Sequence, residues 1–125
     1  MKINKGVFVL MLSVVFLISC GKKEEKIAKL WKVQEMNIAG QAISGDAVAN
    51  FSFDIRPDGS YLMKAMAEES GKWRISRNGD SLVTLNSMSE RPAASLIKEL
   101  TDEKLVLEGN SEGASIIMVF NATKK

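Results

Sequence analysis

The sequence predicts an all-β protein, an eight-stranded antiparallel up-and-down β-barrel that follows an N-terminal signal segment. After residue 29 the chain alternates runs of roughly seven to nine residues with compact polar turns, a spacing typical of sandwiches and barrels. Every connector but the first is too short for the crossover that a parallel pair needs, so neighbouring strands are expected to pair antiparallel. Closing such a sheet into a barrel removes the exposed edges that would otherwise invite association.

The first two strands are predicted from their alternation of apolar and polar residues. One covers Leu30 to Ile38, in which Trp31 and Val33 share a face. Gln41 to Asn50 is small and polar, and we expect it to form the longest loop. The second strand, Asn50 to Arg56, has the cleanest period of two, with one side formed by Phe51, Phe53 and Ile55.

Turn residues delimit the other strands. Pro57-Asp58-Gly59-Ser60 combines a fixed φ, an Asx-type acceptor and a residue that tolerates positive φ, which predicts a hairpin turn. Asn78-Gly79 predicts a type I′ hairpin, and Glu69-Ser70-Gly71 is expected to be a further turn. The remaining six strands are therefore predicted at Tyr61 to Glu68, Lys72 to Arg77, Ser81 to Met88, Ala93 to Leu100, Lys104 to Glu108 and Ala114 to Ala122.

Residues 1–19 have the three zones of a secretory signal. Lys2 and Lys5 precede the apolar run Val7 to Ile18, and a small residue, Ser19, stands before Cys20. As a helix, a run of 12 residues covers about 18 Å of a hydrocarbon core roughly 30 Å thick. We therefore expect cleavage rather than a permanent membrane span.

The residues around Cys20 predict a lipid anchor. Leu17-Ile18-Ser19-Cys20 resembles the bacterial lipobox, which implies that the Cys20 sulfur is acylated before the signal is cut. Two acyl chains hold a soluble domain on a membrane, whereas one chain binds only marginally. Cys20 is the chain's one cysteine, which favours lipidation over the alternative of a plain signal peptide with an incidental, free thiol.

The segment after Cys20 predicts the subcellular localisation of the protein. Residues 20–28 form a charged tether, in which Lys23-Glu24-Glu25 resembles the surface-export signal of Bacteroidetes-type lipoproteins. These resemblances imply a cell-envelope protein, anchored in the outer membrane by acyl chains on Cys20. The periplasmic face and the cell surface both stay open.

Composition excludes several function classes. Loss of residues 1–19 would remove Lys2 and Lys5 and lower the 17 basic residues to 15, against 15 acidic residues. A neutral mature chain is a poor partner for nucleic acid. The chain has no histidine and one cysteine. It therefore lacks residues required for a Ser-His-Asp triad, a Cys-His pair, a His or thiolate zinc site and an intrachain disulfide. We expect no enzyme, no cofactor and no metal.

Several short motifs from Lys29 to Asn121 resemble, in order and spacing, the lipocalin-like domain of small bacterial lipoproteins. The resemblance implies a barrel over residues 29–125 and does not imply a fixed ligand. The motifs that carry it are Leu30-Trp31-Lys32-Val33, Phe51-Ser52-Phe53, Pro57-Asp58-Gly59-Ser60-Tyr61, Gly71-Lys72-Trp73, Asn78-Gly79-Asp80-Ser81-Leu82, Ile97-Lys98-Glu99-Leu100-Thr101 and Lys104-Leu105-Val106-Leu107.

The functional question is whether the barrel is packed or hollow, because eight strands either fill with side chains or enclose one small molecule. The residues predicted to point inward are Val33, Phe51, Phe53, Ile55, Met63, Trp73, Ile75, Ile117 and Val119. A hollow barrel would bind its ligand through Phe51, Phe53, Met63, Trp73, Ile75 and Ile117.

Two functions follow from these alternatives. A hollow barrel predicts a membrane-anchored lipoprotein that binds a small hydrophobic or amphipathic ligand without catalysis. A packed barrel predicts a structural or protein-interaction lipoprotein, an accessory or inhibitor that acts through its loops. For that second function the connector from Gln41 to Asn50 is the expected surface, and the protein partner is unknown.

Overall fold

The structure, a computed structural model, describes residues 23–89, 91–111 and 113–123. A short helix, α1, covers residues 23–27, and a 3-10 helix covers Gly45–Ala47. All strand pairs are antiparallel. The strands are β1 (Leu30–Ile38), β2 (Gln41–Ser44), β3 (Ser52–Ile55), β4 (Ser60–Lys64), β5 (Glu68–Ile75), β6 (Ser81–Asn86), β7 (Pro92–Leu100), β8 (Lys104–Ser111) and β9 (Ala114–Ala122).

The sheet closes on itself because β1 pairs with β9 along nearly its whole length, from Trp31 opposite Ala122 to Ile38 opposite Ile116. The other edge of β1 is shared, since β3 pairs with its first residues and β2 with Glu35 to Ile38. Eight strands, β1 and β3 to β9, therefore form a closed antiparallel barrel, and β2 is an additional strand. The predicted fold class is confirmed.

The prediction of one long loop over Gln41 to Asn50 was wrong. A two-residue turn leads directly from β1 into β2, with positive φ at both Ala39 (53°) and Gly40 (88°), the conformation of a type I′ hairpin. Strand β2 then pairs with the part of the β1 edge that β3 leaves open. Val48 follows the 3-10 helix and is buried in the core, whereas most of the other residues of this connector are exposed.

The turn at Pro57 to Ser60 was predicted correctly. Asp58 Oδ1 accepts hydrogen bonds from Ser60 N at 2.9 Å and Ser60 Oγ at 2.6 Å, and these bonds lower the pKa of the Asp58 carboxyl. Gly59 has φ 94°, which a residue with a Cβ rarely adopts. The Asn78-Gly79 turn lies where predicted, but only Gly79 has positive φ, so it is not type I′.

The third strand and the turn after it differ from the prediction. Strand β4 ends at Lys64, the chain turns at residues 65–67, and Glu69-Ser70-Gly71 belongs to β5. Gly71 is typical of a turn in the sequence, yet it lies within β5, opposite Asn86 of β6. The position requires glycine because a Cβ there would clash with the backbone carbonyl of Leu85.

The core fills one part of the barrel interior. Predicted inward residues Val33, Phe53 and Ile55 are buried, and Phe51, Met63, Trp73 and Ile75 pack against them. Other side chains in the core are Ile27, Trp31, Val48, Tyr61, Leu82, Leu105, Leu107 and Phe120.

The inward orientation predicted for Ile117 and Val119 was wrong. Buried Phe120 and core-packed Met118 set the inner face of β9, so the alternate residues Ile117 and Val119 lie on the outer face. There Val119 is opposite Glu35 and Ile117 is opposite Asn37.

Helix α1 closes one end of the barrel. Lys23 Nζ donates to Gly79 O at 2.6 Å in the β5–β6 turn, and Trp31 Nε1 donates to Ile27 O at 2.8 Å. Ile27 and Trp31 are fully buried. We call this the closed end. Within the described part of the chain, no helix is long and apolar enough to cross a membrane.

Candidate functional site

A cavity of about 200 Å³ lies inside the barrel, toward the end opposite α1. This open end carries the β4–β5 turn at residues 65–67 and residues 87–89 of the β6–β7 connection. Residues of seven barrel strands, β3 to β9, line the cavity. They are Phe53, Tyr61, Met63, Glu69, Leu82, Thr84, Ser95, Leu107, Gly109, Asn110, Ile116 and Met118.

The cavity has an apolar part and a polar part. Phe53, Met63 and Met118 present aromatic and thioether surface, and the flexible methionines can adapt to a bound molecule. Tyr61 and Thr84 bring hydroxyl groups from the neighbouring part of the wall, together with the carboxylate of Glu69. A surface with both characters suits an amphipathic molecule better than a purely apolar one.

Glu69 points inward because alternate residues of a strand share a face, and Trp73 and Ile75, which share the face of Glu69 on β5, pack against the core. Asn86 Nδ2 donates a hydrogen bond to Glu69 Oε1 at 2.6 Å. The ion pairs within residues 23–89, 91–111 and 113–123 do not include Glu69. This carboxylate is therefore held in place by a neutral amide and not neutralised by a cation of that part of the chain.

The Tyr61 hydroxyl is the second notable polar group of the site. Tyr61 is only 2% exposed, and its Oη lies beside the side chains of Thr84 and Glu69 without meeting the geometry of a full hydrogen bond to either. Its ring meets Phe53 edge to face, with centroids 5.7 Å apart. A buried hydroxyl without a well-formed hydrogen bond costs free energy, which a ligand group or a water molecule could recover.

The protonation of Tyr61 gives the first testable prediction. Burial, and then the negative charge of Glu69, raise the pKa of Tyr61 above its usual value of 10.0. Because the folded state keeps its proton more tightly than the unfolded state, this contribution to the free energy of unfolding is complete below pH 10 and declines as pH rises further.

Tyr61 is the chain's one tyrosine, so tyrosinate absorbance measures it directly. We expect its midpoint in the folded protein to lie above that in denaturant, and Glu69→Gln to lower it. The control is Glu68→Gln. Glu68 is adjacent to Glu69 on β5 and therefore lies on the outer face, opposite Lys64. A folded midpoint equal to the denatured one would contradict this assignment.

The structure brings two of the predicted ligand-binding residues, Phe53 and Met63, to the cavity wall. Phe51 packs against the core but does not line the cavity. Trp73 and Ile75 point inward nearer the closed end, where Trp73 Nε1 donates to Arg56 O at 2.7 Å. Ile117 lies on the outer face, as described above. Cys20 and the signal segment lie outside the described residues.

Sequence reasoning missed Glu69, Thr84, Ser95 and Asn110 as site residues. An acidic residue followed by Ser70-Gly71 is typical of a solvated turn, which concealed the role of Glu69. The sequence does hold a signal for Glu69, because it lies an even number of residues before Trp73 and Ile75 and would share their inward face. That reasoning applies only if β5 begins before Glu69. Within the described residues, no group of three or more His, Cys, Asp or Glu side chains is placed to hold a metal ion.

Comparison with solved structures agrees with the fold. The chain is similar to a crystal structure of a lipocalin-like protein from Bacteroides uniformis ATCC 8492, with a TM-score of 0.61 and 13% sequence identity. The match covers 78% of this chain and 99% of that one. No protein-family model matches the chain, and no curated protein matches its sequence significantly. The architecture is therefore that of a lipocalin-like β-barrel.

Proposed function

We propose that this protein is a lipid-anchored binding protein that holds one small amphipathic molecule in its barrel without catalysis. The observation that carries the proposal is the cavity of about 200 Å³, in which the buried Tyr61 hydroxyl lies beside Thr84 and Glu69 without a well-formed hydrogen bond. A cavity of roughly 150 Å³ in another protein takes up benzene, so this volume suits a molecule somewhat larger than one aromatic ring.

The proposed anchor also orients the barrel. Helix α1 begins at residue 23 and packs on the closed end, three residues after Cys20. Three residues span at most about 10 Å. An acylated Cys20 would therefore hold the closed end near the membrane and direct the open end away from it. Incorporation of radiolabelled palmitate that is lost in Cys20→Ser tests the anchor.

Filling the cavity provides the test of ligand binding. Ser95 lines the cavity from β7, and Ser95→Phe is expected to occupy the space that a ligand needs. We expect the full chain in phosphatidylcholine nanodiscs to bind phenethyl alcohol, and Ser95→Phe to weaken that binding about tenfold or more, because the lost contacts would be worth at least about 1.4 kcal/mol. Calorimetric or NMR titration measures the affinity.

The matched control is Ala94→Phe, which places the same ring on the same strand. Ala94 is exposed and lies opposite Val83, on the face of β7 that alternates with Ser95. Binding that survives Ser95→Phe, or that Ala94→Phe weakens equally, would contradict a site inside the barrel.

Interaction with another protein through the open end is the second candidate function. Met66 and Met88 favour it, because they lie on the two turns there and are 95% and 93% exposed. Apolar side chains that cluster at one end of a domain form the kind of patch that marks a contact surface, unlike single scattered ones. The cavity test separates the two functions, since an interaction made by the turns should not depend on whether Ser95 is replaced.

A further inference from the structure

The polar part of the cavity carries a charge of one sign. Glu69 supplies the only ionisable carboxylate of the lining, and no lysine or arginine is among the described residues that line it. A ligand carboxylate or phosphate placed here would meet like charge without a compensating cation. The lining therefore disfavours fatty acids and other anions, and it favours a ligand with a positive charge.

The arrangement of acceptors also fits a cation. Asn86 Nδ2 donates a hydrogen bond to Oε1 of Glu69, and this bond holds the carboxylate in place. The Tyr61 oxygen is buried, lies beside Glu69 and Thr84 without a well-formed hydrogen bond, and lines the same cavity. Thr84 adds a third oxygen to that wall. A primary ammonium has three donors and no acceptor, so a carboxylate and hydroxyl oxygens are suitable partners for it.

The rest of the lining limits the body of the ligand. Phe53, Met63 and Met118 form an apolar wall within a volume of about 200 Å³. Such a wall accepts one aromatic ring or a short alkyl chain, whereas the polyamines and long-chain amines exceed this space.

We propose that the cavity binds a small primary amine with an apolar body, its ammonium on Glu69 and Tyr61 and its ring against Phe53, Met63 and Met118. This inference rests on the proposed function and names its ligand class. Phenethylamine is the probe, and two molecules of nearly the same shape serve as comparisons: phenethyl alcohol, which is neutral, and hydrocinnamate, which is an anion.

The experiment is a titration of the full chain in phosphatidylcholine nanodiscs with each of the three probes, corrected for uptake by empty nanodiscs. Phenethylamine is expected to bind at least about tenfold more tightly than phenethyl alcohol, the usual scale for a hydrogen-bonded charge, and hydrocinnamate more weakly than either. Glu69→Gln should remove the preference for the amine over the alcohol. Glu68→Gln, on the outer face of the same strand, should retain it.

The outcomes distinguish the preference for an amine from the more general proposal that the cavity binds a small amphipathic molecule. If the alcohol binds and the amine binds no better, the amine inference is overturned while the proposed function stands. If none of the three probes binds, both are overturned. The comparison between probes in the unmodified protein needs no variant, so the inference remains testable even if Glu69→Gln fails to fold.

Discussion

Gly71→Ala is expected to destabilise the barrel by about 3 kcal/mol or more, because the added methyl group would overlap backbone that cannot move independently. A Cβ at Gly71 would clash with the carbonyl oxygen of Leu85, and it would lie 2.9 Å from the carbonyl carbon of Leu85 and 3.0 Å from Asn86 Cα. These atoms belong to β6, which pairs with β5 on one side and β7 on the other. Relief of the clash therefore requires the closed wall to open. Chemical denaturation followed by tryptophan fluorescence measures the loss.

Gly109→Ala is the matched control for Gly71→Ala. Gly109 also lies in a strand and lines the interior, but its nearest neighbour, Ser95 Oγ, would be 3.5 Å from an added Cβ, an ordinary contact distance. We expect this variant to stay within about 1 kcal/mol of the unmodified protein, since alanine also restricts the unfolded chain. Equal stability of the two variants would show that β5 and β6 are not as close as the structure places them.

Trp31→Ala is expected to cost about 3 to 5 kcal/mol, the usual range for removing a fully buried aromatic side chain. Trp31 is 0% exposed, lies opposite Phe53 in the β1–β3 register, and donates its indole N–H to Ile27 O at 2.8 Å. Its loss would leave a cavity at the closed end and remove one of the two hydrogen bonds that Ile27 O accepts, the other being from Lys29 N at 2.9 Å. Against a typical stability of about 5 to 15 kcal/mol, such a loss is severe.

Trp31→Phe separates the contribution of aromatic packing from that of the indole hydrogen bond to the free energy of unfolding. Phenylalanine retains an aromatic ring but cannot donate to Ile27 O, which keeps its hydrogen bond from Lys29 N. We therefore expect an intermediate loss, with roughly 0.5 to 1.5 kcal/mol from the one lost hydrogen bond. Protease susceptibility at α1 provides a second measurement, because Ile27 shares the buried core with Trp31 and accepts its indole hydrogen bond. A Trp31→Ala protein as stable as the original would contradict the closed end described here.

The parts of the fold that were predictable have strong local signals. Phe51 to Ile55 alternates strictly, and Pro57-Asp58-Gly59-Ser60 contains the acceptor and the glycine that the observed turn uses. The closure of the sheet followed from the number of strands and the short connectors, and β1 does pair with β9. The strand alternation and the turn depend on neighbouring residues, which a sequence displays directly, whereas closure was inferred from the strand count and not from any local pattern.

The faces of β9 could not be predicted in the same way. Ile116 to Phe120 is apolar at every position, so a period of two cannot distinguish the inner from the outer face. The register decides it, because Phe120 lies opposite Leu105 and Val33, both of which are buried. Alternation therefore failed where both faces of a strand are apolar.

The candidate site was only partly predictable, for a related reason. Phe53 and Met63 belong to strands of clear alternation and do line the cavity. The site's charge comes from Glu69, which faces inward because β5 begins at Glu68 and not after Gly71. That start depends on how closely β5 approaches Leu85 on the neighbouring strand, a tertiary contact that the local sequence does not display.

The most direct test of a ligand site inside the barrel is NMR of isotope-labelled methionine methyl groups in the full chain, titrated with phenethyl alcohol. Met63 and Met118 line the cavity, while Met66 and Met88 lie exposed on the turns of the open end. The account predicts saturable shifts of the Met63 and Met118 methyl signals with a single affinity, and little change at Met66 and Met88. Shifts confined to Met66 and Met88, or no shifts at all, would contradict it.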